Sequence, residues 1–368
     1  MQLLFVCPSL SIQWGGPTGV IEAMGSLIEK ETDIQLRVCT TTDPDTDQIS
    51  SKLKNIILVK RNFLSRAWVG FSFKLILVLW TEVSRSQIVH IHELWHFPGV
   101  IAALFASFLK KPYVISTHGE LDLGYLKQKR VKKKVFFLLF QKGILKRAKK
   151  VFVLSDKENE TAKKWVPDIS SQVIVNGVSL PISRPINKKP YILFLGRLHV
   201  IKGIPLLIDA FPSVLARFPQ YRLVLAGPDG GMKKELVIQC QKLGIENKID
   251  FLGLVQGAYK QQLLEEAAVF VLPSISEGFG LVVLEALAAG TPVVVTPACG
   301  VYGLEESFGR VVPRDENQMA EAISSYLCLN TEDLEVAGKK AQGFVKEAYQ
   351  WERIVETYIG IYKNCIEE

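Results

Sequence analysis

Two glutamates, Glu277 and Glu285, stand eight residues apart in a segment that is otherwise apolar and rich in glycine. The pattern predicts that Glu277 lies in a loop and that a helix begins near Phe279 and ends at Gly290, a residue typical of helix C-termini. Glu285 then lies two turns inside the helix, where a carboxylate is costly to bury unless a partner satisfies it. The hydroxyl groups of a ligand would be such a partner.

The start of this predicted helix is a second place for a ligand. The backbone N–H groups of Phe279, Gly280 and Leu281 would face outward there, and helix N-termini bind anions. The alternative for the whole segment is that Glu277 caps the helix and Glu285 forms a structural salt bridge.

Two cations, Arg197 and Lys202, follow an apolar run at Tyr191–Gly196 that is typical of a strand. A helix is expected to begin soon afterwards, near Ile204. Arginine offers a bidentate fork of donors and lysine a compact charge, so the pair suits a diphosphate at the end of the strand. The alternative is two solvated surface cations.

A glycine-rich loop containing Gly15 and Gly16 separates the first predicted strand, Leu3–Cys7, from a helical pattern at Val20–Lys30. Glycines allow a backbone to approach a ligand closely, and a helix N-terminus favours phosphate. The loop has neither the G-x-G-x-x-G spacing nor the Gly-Lys-Ser/Thr of a Walker loop. A tight turn with no ligand is the alternative.

Short apolar runs alternate with helical patterns throughout the chain, which predicts parallel sheets covered by helices on both faces. The alternation breaks in a segment rich in proline and serine. We therefore expect a first domain at 1–178, a linker at 179–190, a second domain at 191–349, and a helix at 350–368 that crosses back to the first. Ligands of such folds bind beyond the carboxyl ends of the strands, so the cleft between the domains is the expected site.

The length of 368 residues, the near-average hydrophobic (48%) and charged (22%) fractions, and the 27 glycines exclude collagen-like and low-complexity classes. The six cysteines form no C-x-x-C pair, so neither a zinc knuckle nor a redox motif is predicted. The start of the sequence has no basic segment typical of a secretory leader, and its longest apolar stretch, 67–80, is too short to span a membrane. A cytoplasmic location is expected.

Positive charge is concentrated in residues 110–150, which carry +11, whereas the whole chain carries +7. A run of cations precedes the apolar residues 135–140, a pattern typical of a basic amphipathic helix on an anionic membrane. Nucleic acid would also attract this charge, but no nucleic-acid module accompanies it, and a solvated basic face is the other alternative. The predicted membrane contacts are Lys129, Arg130, Lys132, Lys133 and Lys134.

Several of these motifs together resemble one family. SEGFGLVVLEALAAGTPVV resembles the E-x7-E motif of retaining glycosyltransferases of family 4, which have the GT-B fold of two Rossmann-like domains facing a central cleft. GRLHVIKG resembles the G-R-x-x-x-x-K-G donor loop of that family. Gly15 and Gly16 resemble its N-terminal Gly-Gly loop. The resemblance covers the whole chain and is most specific from Tyr191 to Cys299.

The resemblance implies roles for individual residues. Arg197 and Lys202 would bind the diphosphate of a nucleotide-sugar, Gly16 would approach its phosphates, Glu277 would contact the hydroxyls of the transferred sugar, and Glu285 would bind the ribose.

Three further residues are expected on the first domain. His118, in the sequence Ser-Thr-His-Gly-Glu after a strand, matches the active-site histidine of the family's first domain, although many relatives continue His-Asp. His92 and Trp95 are expected to line the acceptor side of the cleft. A structural role is the alternative for all three. His92 and His96 have i,i+4 spacing, but a strand end is expected there rather than a helix, so no metal site is predicted.

The resemblance therefore implies an enzyme that transfers a hexose, with retention and without a metal, from a nucleotide-sugar to a hydroxyl of a glycan or lipid-linked acceptor. No other cofactor is expected, and no nucleic acid. The expected setting is the assembly of cell-surface polysaccharide at the inner face of the plasma membrane. A nucleotide-sugar epimerase and a two-domain sugar-binding protein are the alternatives.

Overall fold

The computed structural model describes residues 1–11, 16–31, 33–42, 53–66, 68–121, 136–180, 187–301, 303–304 and 309–368. The chain divides into two compact units. The first contains Met1–Gly177 together with Trp351–Glu368, and the second contains Val178–Gln350. Gly15 and the five predicted membrane contacts at 129–134 lie outside the described residues.

The first unit is built on a seven-stranded parallel sheet with the strand order β3-β2-β1-β4-β5-β6-β7. β2 pairs with one side of β1, β3 extends the sheet beyond β2, and β4 then pairs with the other side of β1. This order is that of a doubly wound Rossmann-like fold. Its strands are β1 (Gln2–Val6), β2 (Gln35–Thr42), β3 (Ile56–Lys60), β4 (Ile88–His92), β5 (Tyr113–Ser116), β6 (Lys150–Val153) and β7 (Ser171–Val173).

Helices lie on the described connections between these parallel strands; residues 43–52, between β2 and β3, lie outside the described residues. They are α1 (Gly16–Glu31), α2 (Phe73–Arg85), α3 (Phe97–Phe108), α4 (Lys142–Arg147) and α5 (Asp156–Trp165), with a short π-helix at Phe137–Gln141. The strands β1, β4, β5 and β6 are almost fully buried, because the sheet is covered on both faces.

The second unit has a six-stranded parallel sheet with the order β10-β9-β8-β11-β12-β13. Its strands are β8 (Lys189–Leu195), β9 (Arg222–Ala226), β10 (Ile249–Gly253), β11 (Ala267–Leu272), β12 (Val293–Val295) and β13 (Gly309–Val311). Its helices are α6 (Ile204–Arg217), α7 (Lys233–Lys242), α8 (Gly257–Glu266), α9 (Leu281–Ala288), α10 (Glu316–Leu327) and α11 (Thr331–Tyr349).

The α/β fold class predicted from the sequence is confirmed, and the differences concern short elements. The edge strands β3, β7 and β13 were not predicted; β7 and β13 have only three residues, which is too few to show a periodic pattern. β8 begins at Lys189, so the last two residues of the expected linker belong to the sheet. No described helix combines the length and apolar character that a membrane span needs.

The last helix, α12 (Trp351–Glu367), belongs to the first unit, where it contacts α1 and β4. Its Tyr362 is fully buried, and the hydroxyl lies 2.6 Å from Nδ1 of His90 on β4. The other ring nitrogen of His90 lies 2.7 Å from Oγ of Ser116 on β5. This polar chain ties the end of the sequence to the middle of the first sheet.

Replacing Tyr362 with phenylalanine removes the hydroxyl and leaves His90 Nδ1 buried without a partner. We expect Tyr362→Phe to lower the free energy of unfolding by about 1–3 kcal/mol, the cost of an unsatisfied buried polar group. Urea unfolding followed by circular dichroism measures the effect. Tyr259→Phe, at a half-exposed tyrosine of the second unit, is the matched control. Equal losses in the two variants would contradict the prediction.

Candidate active site

In the second unit, the predicted donor residues lie at the point where the strand order reverses. The chain runs from β8 through β9 to β10 and then returns to place β11 on the other side of β8. The loop after β8 carries Arg197 and Lys202, and the loop after β11 carries Glu277. Doubly wound sheets bind ligands at the carboxyl ends of the two strands that flank such a reversal.

Glycines allow the loops at this edge to approach one another closely. Gly203, with φ of +63°, lies so near Pro273 that a Cβ would stand 2.1 Å from the carbonyl oxygen of that proline. Gly227, with φ of +146°, would place a Cβ 1.9 Å from the carbonyl oxygen of Gly196. No other residue fits at either position without moving backbone, so the loops after β8, β9 and β11 are held in contact.

Within this edge, Lys202 and Glu277 form an ion pair. Lys202 Nζ lies 2.5 Å from Glu277 Oε2, and the two side chains are only 16% and 14% exposed. The hydroxyl of Ser274 donates to the same oxygen at 3.1 Å. The structure therefore brings together two predicted site residues that are 75 positions apart in sequence. Each charge stabilises the other in a setting with little water.

Arg197 stands at the same edge, directly after Gly196, and it is exposed. Its guanidinium makes no ion pair or hydrogen bond with the residues that the structure describes. The aliphatic part of its side chain packs against Gly230, where a Cβ would stand 2.8 Å from Arg197 Cγ. The glycine turn after β9 thus supports the stem of Arg197 while its charge stays available to an anion.

Glu285 lies on α9, as predicted, but its surroundings differ from the prediction. Its side chain is 23% exposed rather than buried, and both oxygens contact Lys260 Nζ on α8, at 2.7 and 2.6 Å. The carboxylate is therefore satisfied without a ligand. Position 285 is therefore partly exposed although its sequence neighbours are apolar, and Lys260 of α8 lies beside it. The salt bridge that the sequence left as the alternative is present.

The start of α9 also corrects the sequence prediction. The helix begins at Leu281, two residues later than expected. The N–H of Gly280 donates to the carbonyl of Cys299 at 2.8 Å, and that of Leu281 contacts the carbonyl of Phe279 at 2.9 Å. These two groups are therefore engaged in the structure, and an anion would have to displace their acceptors.

The first unit has its own reversal of strand order, between β1 and β4, and the predicted histidines lie beside it. His92 is the last residue of β4, and His118 follows β5. His92 Nδ1 lies 3.1 Å from His118 Nε2, and the rings are stacked with centroids 5.4 Å apart. The ring of His90 also stacks with that of His92, with centroids 4.0 Å apart.

These histidines are held neutral. Burial lowers the pKa of His118 to about 4 and lowers those of His90 and His92 well below the usual value of 6.5. When two neutral rings share one hydrogen bond, one remaining nitrogen carries a proton and the other a lone pair. These two atoms, His92 Nε2 and His118 Nδ1, have no hydrogen-bond partner within the described part of the chain.

The backbone around these histidines is strained. Glu93, Trp95 and His118 all have positive φ, at 69°, 64° and 50°. Such conformations cost about 1–3 kcal/mol each in non-glycine residues and cluster at functional sites. Trp95 is half-buried, and its carbonyl accepts a hydrogen bond from the indole of Trp68 at 3.1 Å. The strain favours a functional role for this edge over a purely structural one.

A cluster beside the histidines has the chemistry of a cation site. Ligand atoms of Glu93, His96 and Glu120 lie within 4.8 Å of one another. Glu120 also accepts the N–H of Leu94, and burial lowers the pKa of His96 to about 4, which keeps its ring neutral. The segment after β4 is a loop rather than a helix, and His92 bonds to His118 instead of joining His96. The sequence-based view that the chain uses no metal stays a prediction.

Sequence reasoning missed three residues of these sites. Lys260 and Ser274 hold the two glutamates, and Tyr362 supports His90 from the far end of the chain. Ser274 stands three residues before Glu277, a spacing that would have been detectable. Nothing in the sequence near Lys260 or Tyr362 indicates their partners, because those contacts arise only when distant elements pack. Gly16, predicted to approach phosphate, is the exposed first residue of α1.

The neutral histidines make stability depend on pH. Because the folded pKa of His118 is about 4 and that of an unfolded histidine about 6.5, protons bind to the unfolded state alone between these values. The free energy of unfolding should therefore be fully retained above about pH 6.5 and fall towards pH 4, by about 1.4 kcal/mol per pH unit for each such histidine. Urea unfolding at several pH values measures the slope. His118→Gln should reduce that slope, and an unchanged slope would contradict the assignment.

Comparisons with known proteins agree with this architecture. The family model for glycosyl transferases group 1 matches residues 180–351, and that for glycosyltransferase family 4 matches residues 15–180. An uncharacterized glycosyltransferase of Methanocaldococcus jannaschii is 38% identical over 179 residues, which cover 48% of this chain and 45% of that protein. The alignment thus spans less than half the length of that relative.

The chain aligns over a longer stretch with a Xanthomonas campestris protein, the GDP-mannose:cellobiosyl-diphosphopolyprenol alpha-mannosyltransferase. The two are 27% identical over 295 residues, or 77% of this chain and 76% of that protein. Among solved structures, that of Anabaena HepE in complex with UDP and glucose superimposes with a TM-score of 0.78 at 19% identity, covering 99% of this chain and 100% of HepE.

The two family models together extend from residue 15 to residue 351, one over each half of the chain. Two Rossmann-like parallel sheets and the fold of the solved structures complete the assignment. The chain belongs to the glycosyltransferases of the family 4 type and has the GT-B fold.

Proposed function

We propose that the chain transfers a hexose from a nucleotide-diphospho-sugar to a hydroxyl group of a lipid-linked or glycan acceptor, with retention and without a metal. The observation that carries the proposal is the arrangement at the reversal point of the second sheet. There Arg197 is exposed, and its guanidinium has no ion pair or hydrogen bond with the residues that the structure describes; it stands at the same edge as the Lys202–Glu277 pair, at the carboxyl ends of β8 and β11.

A diphosphate fits this arrangement better than a neutral sugar alone. Arg197 can bind two phosphate oxygens at once, and Lys202 can add a point charge. In the structure Glu277 neutralises Lys202, so the incoming diphosphate would take over that lysine. Glu277 would then be released beside the leaving phosphate, where the hydroxyls of the transferred sugar must lie.

The reaction needs charge stabilisation on the departing diphosphate. Preorganised cations supply this in a site with little water and can take the place of a metal ion. We therefore assign that task to Arg197 and Lys202, and the ribose to Glu285 once it leaves Lys260. Gly16 is the residue of the first unit that we assign to the donor, and we assign catalytic roles to His118 and Glu277. His92 and Trp95 are assigned to the acceptor.

The acceptor is proposed to be lipid-linked. The Xanthomonas relative acts, by its name, on a diphosphopolyprenol, and residues 110–150 of this chain carry +11. We infer that the enzyme works at the cytoplasmic face of the plasma membrane, where Lys129, Arg130 and Lys132–Lys134 attract anionic lipid, and that it assembles cell-surface polysaccharide. HepE was solved with UDP and the Xanthomonas enzyme is named for GDP-mannose, so UDP- and GDP-sugars are the donors to test.

Removing the cations should abolish most of the activity while the fold is kept. Arg197→Ala and Lys202→Ala should each lower kcat/KM for transfer by roughly ten- to a hundredfold, because each removes a charge-assisted contact of about 1.5–3 kcal/mol. Release of nucleoside diphosphate, with a panel of UDP- and GDP-sugars, measures turnover. Lys234→Ala, at an exposed lysine of α7, is the matched control. Full activity in both variants would refute the donor assignment, and binding of a nucleotide-sugar without turnover would favour a sugar-binding protein.

Activity should survive removal of divalent cations. With Arg197 and Lys202 compensating the diphosphate, excess EDTA should leave the rate of transfer within twofold of its initial value. Rates measured before and after chelation, and after adding Mg²⁺ or Mn²⁺ back, test this. Loss of activity that the metals restore would show that the proposal is wrong, and Glu93, His96 and Glu120 would be the first ligands to replace.

A further inference from the structure

Helices α2 and α3 of the first unit direct large apolar side chains outward. Leu77 is 73% exposed and Phe108 is 75% exposed, and three neighbours are also exposed. On α2 the side chains follow i, i+4 and i+7 spacing, which places them on one side of the helix. We call the set of five the α2–α3 apolar face: Phe73, Leu77, Trp80, Leu104 and Phe108.

The two helices present this face as one surface. They pack against each other, and the ring of Trp80 on α2 contacts Phe105 and Phe108 on α3, with centroids 5.2 and 5.7 Å apart. Helix α3 contains no charged residue in its twelve positions. A helix that faces water normally carries polar residues on its outer side, so α3 is built for an apolar neighbour on that side as well.

More apolar surface continues from the start of α3. Leu138, Leu139 and Phe140 are exposed on the π-helix. The ring of Phe140 lies 5.7 Å from that of Trp68, and the Trp68 ring lies 5.0 Å from Phe97, the first residue of α3. Exposed apolar surface on adjacent elements marks a site of association with a protein or a membrane.

The charges around the face indicate which of these it is. Every carboxylate in residues 53–121 is buried, namely Glu82, Glu93 and Glu120. Among the exposed side chains at the ends of α2 and α3, by contrast, are Lys74, Arg85 and Lys110. The charges that the described part of residues 53–121 exposes beside the apolar face are therefore positive. Aromatic and aliphatic side chains framed by cations suit the boundary between headgroups and acyl chains of an anionic bilayer.

We propose that the α2–α3 apolar face inserts into the interfacial region of an anionic membrane and anchors the first unit there. The inference rests on the membrane setting of the proposed function and deepens it, because anchoring would then be apolar as well as electrostatic. With twelve residues, α3 is too short to cross a bilayer, so the helices would lie in the interface.

The two contributions respond differently to salt. Attraction between cations and anionic lipid weakens as the Debye length falls from about 10 Å at 0.1 M to about 3 Å at 1 M. Burial of apolar surface is not screened by salt. Binding that persists at 1 M NaCl therefore reports the apolar face, and the part that is lost reports the cations.

Vesicle co-sedimentation of the full chain separates them. The vesicles are phosphatidylcholine alone and phosphatidylcholine with phosphatidylglycerol, each at 0.1 and 1 M NaCl. The test variant is Leu77→Asn with Phe108→Asn, which removes apolar surface without changing charge. The matched control is Leu254→Asn with Val336→Asn, two half-exposed positions of the second unit. Lys132, Lys133 and Lys134 changed to Glu form the electrostatic variant.

We expect the wild type to keep binding anionic vesicles at 1 M NaCl and the apolar variant to bind at least tenfold more weakly at both salt concentrations. The control should bind like the wild type, and the lysine variant should lose binding at low salt only. If the apolar variant binds like the wild type, or if wild-type binding disappears entirely at 1 M NaCl, the proposal is wrong. Size-exclusion chromatography with light scattering tests whether a second copy of the chain covers the face instead. If the wild type is a dimer that does not bind vesicles, and the apolar variant is a monomer, the proposal is overturned in favour of self-association.

Turnover distinguishes this proposal from the proposed function. Hydrolysis of the nucleotide-sugar, measured without vesicles, should be the same in the wild type and the apolar variant, because neither position belongs to the donor site. Vesicle binding without any turnover would leave the apolar face intact and refute the transferase. Turnover without vesicle binding would support the transferase and refute the membrane role of the apolar face.

Discussion

The candidate donor site depends on how closely three backbone loops approach one another at the carboxyl edge of the second sheet. The carbonyls of Pro273 and Gly196 stand where the Cβ atoms of Gly203 and Gly227 would be. Since the loops after β8 and β11 touch there, Lys202 reaches Glu277 across 75 residues of sequence. Any larger residue in place of Gly203 or Gly227 would push the loops apart. The distance between Lys202 and Glu277 would then change although neither of these residues had been replaced.

The ion pairs show how such a site can be stable without its ligand. A half-buried cation or carboxylate alone would carry a large desolvation cost, so a site for a charged donor must hold temporary partners. Under the proposed function, Lys202 with Glu277 and Lys260 with Glu285 would be such partners. Under the proposed function, a diphosphate and a ribose would exchange places with them, so binding would replace interactions already present instead of adding charges to an empty pocket.

The sequence was a good guide to the parts of the fold that repeat a pattern. The long buried strands and the helices between them are periodic, and the resemblance of the Arg197–Lys202 and Glu277–Glu285 motifs to one family extended over the chain. The features that the sequence did not predict are contacts between elements that are distant in the chain. The salt bridge of Glu285 was only an alternative from the sequence, because nothing in its own helix reveals that α8 supplies Lys260. The start of α9 was placed two residues early because the carbonyl of Cys299 engages the N–H of Gly280.

The two units differ in electrostatic character at corresponding points of their folds. In the second unit the reversal of strand order is occupied by formal charges, Arg197, Lys202 and Glu277. In the first it is occupied by histidines whose pKa values burial has lowered, so that they stay neutral at pH 7. Fixed positive charge suits a nucleotide diphosphate, whereas a hydroxyl group, which both donates and accepts, can be bound by neutral groups that do the same. The hydrogen bond between His92 and His118 leaves one free ring nitrogen that carries a proton and one that carries a lone pair. Whichever histidine is the donor, a hydroxyl group can accept from the first nitrogen and donate to the second. The division of charge between the units thus follows the chemistry of the two substrates in the proposed reaction.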